Sequence, residues 1–361
     1  MDFSVLLPTY NRRETLEKVL AAWERQSPAE LTFELVVVDD GSADGSAELL
    51  AALRPNRFPL RFARQENSGP AAARNRAIGL AAGEYLLFTG DDIEPRPDLL
   101  ARHLAAHRDR PQEGRAILGL TRWPPGEKPT ATMRHVDGVG AQQFSYHYLK
   151  DRAVYDFRHF YTSNVSLSRA FLLKEPALFS TAFPAAAFED AEFAHRLAFH
   201  GLEIVYHREA EAFHHHPYGA RAFYRRQHRC GQMAAVLARL HPSLEKWLST
   251  EDLRRRRLEL IGAPARVANL EHARERAIEL AETWDAADPP GIDDLLLALF
   301  RYAYLEGLGQ ALFGRAAERV LASFFADLLP PAVAAFEQRL RAAGAGLPHA
   351  DLQAFAALAR P

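Results

Sequence analysis

Leu86–Pro95 reads LLFTGDDIEP, and this stretch indicates the fold class of the chain more clearly than any other. The residues Tyr85–Phe88 form an apolar run of the kind found in a buried parallel strand. Asp91 and Asp92 follow this run, and a Pro-containing helix start is expected after them. Ligands of open α/β sheets bind just beyond the carboxyl ends of the strands, so the two carboxylates mark a candidate binding site.

The adjacent carboxylates of Asp91 and Asp92 repel each other unless a cation lies between them. A divalent metal that carries a diphosphate is one explanation, because carboxylate oxygens are ligands of hard cations. The alternative is an acidic turn that caps the following helix, since Asp is favoured at helix N-termini. The motif by itself leaves both interpretations open.

Length and composition describe an ordinary globular protein with room for two domains. Of its 361 residues, 48% are hydrophobic and 25% are charged. The length predicts two domains, or one large domain with an appendage. The formal net charge of −2 carries no signature of a nucleic-acid-binding protein. Cys230 is the single cysteine, which excludes an intramolecular disulfide and a cysteine-based zinc site.

The N-terminus and the apolar segments bear on localisation. The first predicted strand begins at Phe3, which leaves no room for a signal peptide. No window of the sequence approaches 18 uninterrupted apolar residues, so no transmembrane segment is predicted. We therefore expect a cytoplasmic protein, and a peripheral membrane contact stays open.

The first 110 residues alternate between strand and helix patterns, which is typical of parallel βαβ units with right-handed crossovers. The predicted strands are Phe3–Leu7, Phe33–Val38, Leu60–Ala63 and Glu84–Phe88, and the predicted helices are Arg12–Trp23, Ala43–Leu53 and Ala71–Ala82. Parallel strands present their carboxyl ends at one edge of the sheet. We therefore expect Pro8–Asn11, Asp39–Ser42 and Asp91–Asp92 to lie together.

The pattern is looser between residues 115 and 217. Strand candidates are Ala116–Thr121, Val165–Ser168, Glu203–Tyr206 and Ala212–His214, and a helix is predicted over Asp190–His200. The segment Trp123–Val139 is rich in Pro, Gly and Thr, and we expect it to be a binding loop or lid. Residues 1–217 are thus predicted to form the first domain.

After Pro217 the strand pattern disappears. The predicted helices are Tyr218–Leu240, Leu244–Ile261, Pro264–Trp284, Asp293–Phe313, Ala316–Leu329 and Pro331–Ala343. Proline-rich breaks at Asp288–Gly291 and Leu329–Pro331 separate some of them. Residues 218–361 are therefore predicted to be an all-helical C-terminal region.

Two features of the first domain are candidates for contacts with a nucleotide. Asp39 and Asp40 end the second strand, where carboxylates accept hydrogen bonds from a base or a ribose, although an N-cap with a tight turn is the alternative. Asn67–Asn75 opens an Ala-rich helix. An anion at its N-terminus with Arg74 nearby would form a diphosphate site, and a solvent-facing arginine is the alternative.

Two further features are candidates for catalysis and metal binding. Asp190 starts a predicted helix, where one carboxylate is either a general base or a helix cap. The triplet His214–His216 ends a predicted strand, and alternation places its first and third members on one face and His215 on the other. One of these histidines is a candidate to join Asp92 at a metal, and a structural histidine is the alternative.

Five motifs together resemble those of the family 2 glycosyltransferases. They read SVLLPTYNR, FELVVVDDGSADGS, NSGPAAARNRAI, GEYLLFTGDDIEP and FEDAEFAHRL, and they cover about residues 1–220 in the family's order and spacing. The resemblance implies a GT-A fold, which is a Rossmann-like, mixed and mostly parallel sheet flanked by helices. It also implies a nucleotide-diphosphate-sugar donor and a divalent metal, Mn²⁺ or Mg²⁺.

The place of each residue in these motifs implies its role. The nucleotide site implied by the resemblance comprises Pro8, Thr9, Tyr10, Asp39, Asp40, Arg74 and Asp91. Asp92 matches the metal ligand and Asp190 the catalytic base. Asn164 and Glu189 are expected beside the donor sugar and the acceptor. The helical region after residue 220 matches no motif of the family.

Gly90 is the one departure from the acidic motif, which often reads Asp-x-Asp in the family. The metal then depends more heavily on Asp92, and His214 is the candidate helper ligand.

The function predicted from the sequence is a metal-dependent glycosyltransferase of glycan or polysaccharide assembly. It transfers a sugar from a nucleotide diphosphate, with UDP as the first choice, to an acceptor hydroxyl with inversion. A glycan, a lipid-linked sugar and a small molecule are all open as acceptors, and no nucleic-acid partner is expected. The alternatives are a retaining transferase of the same fold, a catalytically inactive sugar-nucleotide-binding scaffold, and a nucleotidyltransferase.

Overall fold

A computed structural model of the chain describes residues 1–27, 31–109, 111–140, 142–261 and 270–347. The chain divides into two compact units. The first unit comprises Met1–Glu127 and Phe144–His216, and the second comprises Lys128–Gln143 and Pro217–Pro361. The short segment from Lys128 to Gln143 therefore belongs with the C-terminal residues, although it lies between two parts of the first unit in sequence.

The first unit is built on a nine-stranded sheet within the residues described. Its strands are β1 (Phe3–Thr9), β2 (Phe33–Asp39), β3 (Leu60–Arg64), β4 (Tyr85–Thr89), β5 (Ile93–Pro95), β6 (Arg115–Arg122), β7 (Val154–Tyr155), β8 (Asn164–Ser168) and β9 (Glu203–His214). Their order is β3-β2-β1-β4-β8-β6-β9-β5, and β7 pairs with β9. Strands β5, β7 and β8 run against the other six. The predicted mixed, mostly parallel sheet is confirmed.

Helices cover both faces of this sheet. In chain order they are α1 (Arg13–Trp23), α2 (Ser46–Ala52), α3 (Gly69–Leu80), α4 (Leu99–Asp109), α6 (Arg169–Leu172) and α7 (Glu189–Ala198). The helix between α4 and α6 in sequence, α5 (Ala131–Asp137), belongs to the second unit. Side chains alternate along β1, so Leu6 joins a core cluster with α3 and α7, whereas Val5 and Leu7 join a second cluster with α1, α2 and α4.

The parallel register brings the ends of three strands together, as predicted. Thr9 at the end of β1 pairs with Asp39 at the end of β2, and the Thr9 hydroxyl donates a hydrogen bond of 2.8 Å to Asp91. The loop after β1 is joined to the loop after β2, since the N–H of Asn11 donates to Ser42 Oγ at 2.9 Å. These contacts form the edge of the sheet on which the candidate site lies.

The segment after the acid pair differs from the expectation. The predicted helix start is wrong, because Ile93–Pro95 forms β5, which pairs antiparallel with β9 and places Ile93 opposite His214. Proline is tolerated here because β5 lies at the edge of the sheet. The two strands predicted between residues 203 and 214 are one strand, β9, whose register against β6 shifts between Gly119 and Leu120.

The second unit is helical in its described part. Its longer helices are α8 (Ala220–Leu240), α9 (Thr250–Glu259), α10 (Leu270–Asp285), α11 (Ile292–Phe313) and α12 (Glu318–Ala342). The predicted helix Pro264–Trp284 is seen from Leu270, and its residues 264–269 lie outside the described residues. The segment expected to be a loop, Trp123–Val139, contains α5, and the hydroxyl of Thr130 caps this helix by accepting from the N–H of Met133.

Helix α12 continues through Pro330 and Pro331, where a break was predicted. Proline removes a backbone hydrogen bond and crowds the preceding turn. Here Leu329, Pro330, Val333 and Phe336 are all buried, so tertiary packing supports the helix across the site.

One stretch of the second unit is long and apolar enough to cross a membrane by length and composition alone. It covers Ile292–Ala342, and 56% of its most apolar window is buried within the structure, as is common for the core helix of a globular protein. The absence of a transmembrane segment therefore stays a prediction.

Candidate functional site

Asp39 and Asp40 lie buried where β2 ends and the chain turns toward the next helix. Asp39 accepts a hydrogen bond from the N–H of Ser42 at 3.0 Å. Asp40 accepts the N–H groups of Ser68 and Gly69, each at 2.9 Å, and so satisfies donors at the N-terminus of α3. Both carboxylates therefore support the turn and the helix cap, and their contact with a nucleotide stays a prediction.

Pro8, Thr9 and Tyr10 lie beside these acids at the end of β1. Thr9 is buried and holds Asp91, as described above. Tyr10 is 47% exposed, so its ring is open to a ligand at this edge of the sheet. The nucleotide-binding candidates at the ends of β1, β2 and β4 therefore lie close together at this edge of the sheet.

The acid pair of the LLFTGDDIEP stretch is in contact with Arg12, which the sequence analysis did not single out. Arg12 Nη1 hydrogen-bonds to Asp92 Oδ2, and its Nε lies 3.8 Å from Asp91 Oδ1. Burial and the charge of Asp92 raise the pKa of Asp91 to about 7. Burial also acts to raise the pKa of Asp92, but His214, Arg12 and His216 outweigh it and hold that pKa far below its usual range. Asp92 is therefore the anionic member of the pair at neutral pH.

Histidines approach the same oxygen of Asp92. His214 Nε2 and His216 Nδ1 lie 3.5 and 3.6 Å from Asp92 Oδ2, whereas His215 points to the other face and contacts Glu94 at 2.7 Å. The predicted alternation along the triplet is confirmed. Packing holds the imidazole of His214, since the Trp123 ring stacks on it at 5.1 Å and 13°.

The side chains at this point are of types that bind divalent metals. One carboxylate with two imidazoles offers oxygen and nitrogen ligands, which suit Mn²⁺. Among the described residues, however, no group of three or more His, Cys, Asp or Glu side chains is arranged so that it could hold a metal ion. Arg12 hydrogen-bonds to Asp92, and a metal at Asp92 and His214 stays a prediction.

Gly90 precedes the pair, and its lack of a side chain has a steric reason. A Cβ at this position would lie 2.7 Å from Asp92 Oδ1 and 3.2 Å from Ile93 Cγ1. These contacts are shorter than van der Waals separations, so a side chain at position 90 would require the Asp92 carboxylate to shift.

Arg74 and Glu189, predicted for different roles, form one buried ion pair. Arg74 Nη1 donates to Glu189 Oε1 at 2.6 Å, and the guanidinium lies 5.6 Å from the centre of the Phe179 ring. The preceding residue, Phe188, has φ 65°, which is rare for a bulky side chain and turns the chain sharply into α7. Strained backbone of this kind concentrates at functional sites.

Asp190 occupies the first turn of α7 and is half-buried. It is not the N-cap, because the helix begins at Glu189. Burial and the charge of Glu189 raise the pKa of Asp190 to about 7, and the charge of Arg74 acts against them. A carboxylate that titrates near neutrality is suited to act as a general base.

A row of aromatic rings runs from His214 to Tyr161. The His214 and Phe144 rings lie 6.0 Å apart, and those of Phe144 and Tyr161 lie 5.4 Å apart. Burial raises the pKa of Tyr161 to about 12, and the charge of Asp190 is among the further causes. No pattern in the sequence predicts this row, because ring contacts between distant residues have no periodicity.

Asn164 has a structural role in this geometry, in contrast to the predicted contact with a sugar. It is 1% exposed. Its Nδ2 donates to the carbonyls of Ala210 at 2.9 Å and Leu120 at 3.2 Å, and its Oδ1 lies 2.9 Å from His103 Nε2. With its donors and acceptor engaged inside the sheet, the amide is not available to a ligand.

Known proteins resemble this chain in sequence over the same region. Residues 4–175 match Glycosyl transferase family 2. Validoxylamine A glucosyltransferase of Streptomyces hygroscopicus subsp. limoneus is 30% identical over 274 residues, covering 67% of this chain and 57% of that protein. The chain spans less than two thirds of the length of the curated relatives it matches.

Solved structures resemble the chain in fold. Mannosyltransferase PcManGT from Pyrobaculum calidifontis, in complex with GDP-Man and Mn²⁺, is 19% identical with a TM-score of 0.51 over 99% of this chain and 84% of that chain. S. aureus TarS 1-349 in complex with UDP-GlcNAc is 18% identical with a TM-score of 0.50 over 99% of this chain and 90% of that chain. These likenesses show the fold, and the predicted GT-A class is confirmed. Residues 4–175 are thus a glycosyl transferase family 2 domain.

Proposed function

We propose that the chain is a metal-dependent, inverting glycosyltransferase of glycan or polysaccharide assembly. The observation that carries the proposal is that an anionic Asp92 lies among histidines while a half-buried Asp190 titrates near neutrality. Aromatic rings run from His214 to Tyr161, whose pKa the charge of Asp190 helps to raise. The transferases it resembles include a glucosyltransferase and proteins solved with GDP-Man and Mn²⁺ or with UDP-GlcNAc. We take UDP as the first choice of nucleotide.

In the proposed reaction Asp190 accepts the proton of the acceptor hydroxyl. The acceptor oxygen forms a bond to the anomeric carbon while the bond from that carbon to the diphosphate breaks. A single displacement of this kind inverts the configuration and needs one base and no enzyme nucleophile. A divalent metal held by Asp92 would neutralise the charge that builds on the leaving diphosphate.

The buried pair of Arg74 and Glu189 sets the electrostatics around the base. Arg74 favours the ionised form of Asp190, and Glu189 disfavours it. Arg74 and Glu189 are buried as one ion pair, so their opposite effects on Asp190 partly cancel. The pKa of Asp190 therefore stays near neutrality. Glu189 Oε2 is buried and makes no hydrogen bond in the structure, which supports the proposal that it accepts from a sugar hydroxyl.

The decisive experiment is the Asp190→Asn variant, with turnover and nucleotide affinity measured on the same preparation. The substitution keeps the size of the side chain and removes its ability to take a proton. We expect turnover to fall by roughly 10²–10⁴-fold, the usual contribution of general-base catalysis, while nucleotide affinity stays near that of the wild type. A structural role would leave turnover nearly normal, because Asn suits helix starts as well as Asp does.

Glu192→Gln is the matched control. Glu192 lies in the same first turn of α7 and pairs with Arg196, away from the proposed base. The glutamine amide oxygen can keep one of the two hydrogen bonds that Arg196 donates to Glu192, so we expect activity close to that of the wild type once thermal melting shows that the variant is folded. Product stereochemistry, read by NMR, tests the other half of the proposal: a retained anomeric configuration would replace the inverting mechanism by a retaining one. Nucleotide binding without any transfer or donor hydrolysis would indicate a scaffold.

A further inference from the structure

Arg12 takes the place at the acid pair where a divalent metal would bind. Its guanidinium hydrogen-bonds to Asp92 Oδ2 and reaches toward Asp91. The carboxylate side chains are only 11% and 15% exposed, whereas that of Arg12 is 33% exposed. A charge pair from which water is largely excluded interacts more strongly than one in solution.

One oxygen of Asp92 is the point of competition. Arg12 Nη1, His214 Nε2 and His216 Nδ1 all approach Asp92 Oδ2. A metal held by Asp92 and His214 would compete with the Arg12 guanidinium for this carboxylate.

The position of Arg12 gives it a second partner when a donor is present. It lies in the loop after β1, next to the residues expected around the nucleotide, and it directly precedes α1. A guanidinium presents its N–H groups in a planar fork that matches two phosphate oxygens. A diphosphate that arrives at this edge can accept the hydrogen bonds that Asp92 gives up.

We propose that Arg12 is the resident countercation of Asp91 and Asp92, that it keeps the metal affinity of the donor-free protein low, and that it moves to the diphosphate when metal and donor bind. The inference rests on the proposed function, from which it takes the metal and the diphosphate. Arg12 is a positioning residue in this account, because it acts on the metal through Asp92. Each ligand then favours the position of Arg12 away from Asp92. Binding of the metal therefore strengthens binding of the nucleotide, and binding of the nucleotide strengthens binding of the metal.

The test is the Mn²⁺ affinity of Arg12→Gln, measured by the EPR signal of free Mn²⁺ with and without UDP. Without nucleotide, the variant is expected to bind Mn²⁺ about tenfold more tightly than the wild type, which corresponds to the loss of one competing charge-assisted contact. With saturating UDP the advantage is expected to disappear or reverse, because glutamine cannot replace the guanidinium at the diphosphate. Thermal melting checks that the variant is folded.

Arg13→Gln is the matched control. Arg13 is the next residue and is exposed, and its Nη1 lies beside Gly45 instead of beside the acid pair. The substitution removes the same unit of charge, and we expect less than a twofold change in Mn²⁺ affinity.

Arg12→Lys keeps the positive charge at the acid pair, and it provides a second test if Arg12→Gln does not fold. Without nucleotide it is expected to stay near the wild type.

The outcomes separate this inference from the proposed function. Equal Mn²⁺ affinities of wild type and Arg12→Gln without UDP would overturn the role of Arg12 and leave the metal site standing. An equal gain in Arg12→Gln and Arg13→Gln would also overturn it, because net charge alone would then explain the effect. Mn²⁺ binding that survives Asp92→Asn would place the metal elsewhere and refute the metal site together with the inference.

Discussion

Asp190 titrates near neutrality because it is half-buried beside Glu189, so transfer should depend on pH in the same range. Only the ionised carboxylate can take the acceptor proton. We expect kcat/KM to fall about tenfold per pH unit below about pH 7 and to level off above it. Initial rates between pH 5 and 9 at constant Mn²⁺ measure this.

Asp91 also titrates near neutrality, so Asp91→Asn is the control for that profile. If Asp190 is the base, the acidic limb stays in place in Asp91→Asn. A rate that is flat from pH 5.5 to 7 would contradict the assignment of the base.

Asp92 and Asp91 should differ in their sensitivity to substitution. Asp92 is ionised among His214, His216 and Arg12, whereas Asp91 is held by Thr9 and is partly protonated near neutral pH. We expect Asp92→Asn to abolish most of the metal-dependent transfer and Asp91→Asn to reduce it less. Rates measured against Mn²⁺ concentration test this order, and full turnover in EDTA would argue against any metal requirement.

At the scale of elements, the junction of β6 with β9 depends on Gly119. A Cβ there would lie 2.3 Å from both the Ala210 carbonyl oxygen and Asn164 Nδ2. Gly119→Ala should lower the free energy of unfolding by about 1–3 kcal/mol, as overpacking of a core does.

Gly79→Ala is the matched substitution in α3, where nothing lies within 4 Å of the added Cβ. Alanine is the better helix former by about 0.5–1 kcal/mol, so this variant should be slightly more stable than the wild type. Urea unfolding midpoints compare the two. Similar shifts in both variants would show that the close approach at Gly119 relaxes at little cost.

At the scale of the whole molecule, a donor nucleotide and the metal should stabilise the chain together. A ligand that binds only the folded state at 100 times its Kd adds about 2.7 kcal/mol to the free energy of unfolding. We expect UDP with Mn²⁺ to raise Tm more than the sum of the two added separately. The Mn²⁺-dependent part should vanish in Asp92→Asn, and a purely additive response would speak against coupled binding.

Short-range sequence patterns were enough to predict the strand ends that form the sheet edge and the carboxylates that lie there. Strands β1, β2 and β4 are apolar runs in the sequence because both faces of each strand are buried. Asp39, Asp40 and Asp91 follow these runs, because a buried strand ends where polar residues begin. The opposite orientation of His214 and His215 follows from the two-residue period of a strand alone. These features depend on neighbours in sequence, which a pattern records.

Contacts between distant residues were decided by the tertiary structure. Arg12 and Asp92 are 80 residues apart, Arg74 and Glu189 are 115 apart, and Asn164 reaches the Ala210 carbonyl across 46 residues. The continuity of α12 through Pro330 likewise depends on packing around it. Periodicity tells which face of an element is buried, but it does not tell which side chain lies opposite. The sequence alone therefore determined the acids at the strand ends, and only the folded chain decided that Arg12 neutralises one of them and that Glu189 holds Arg74.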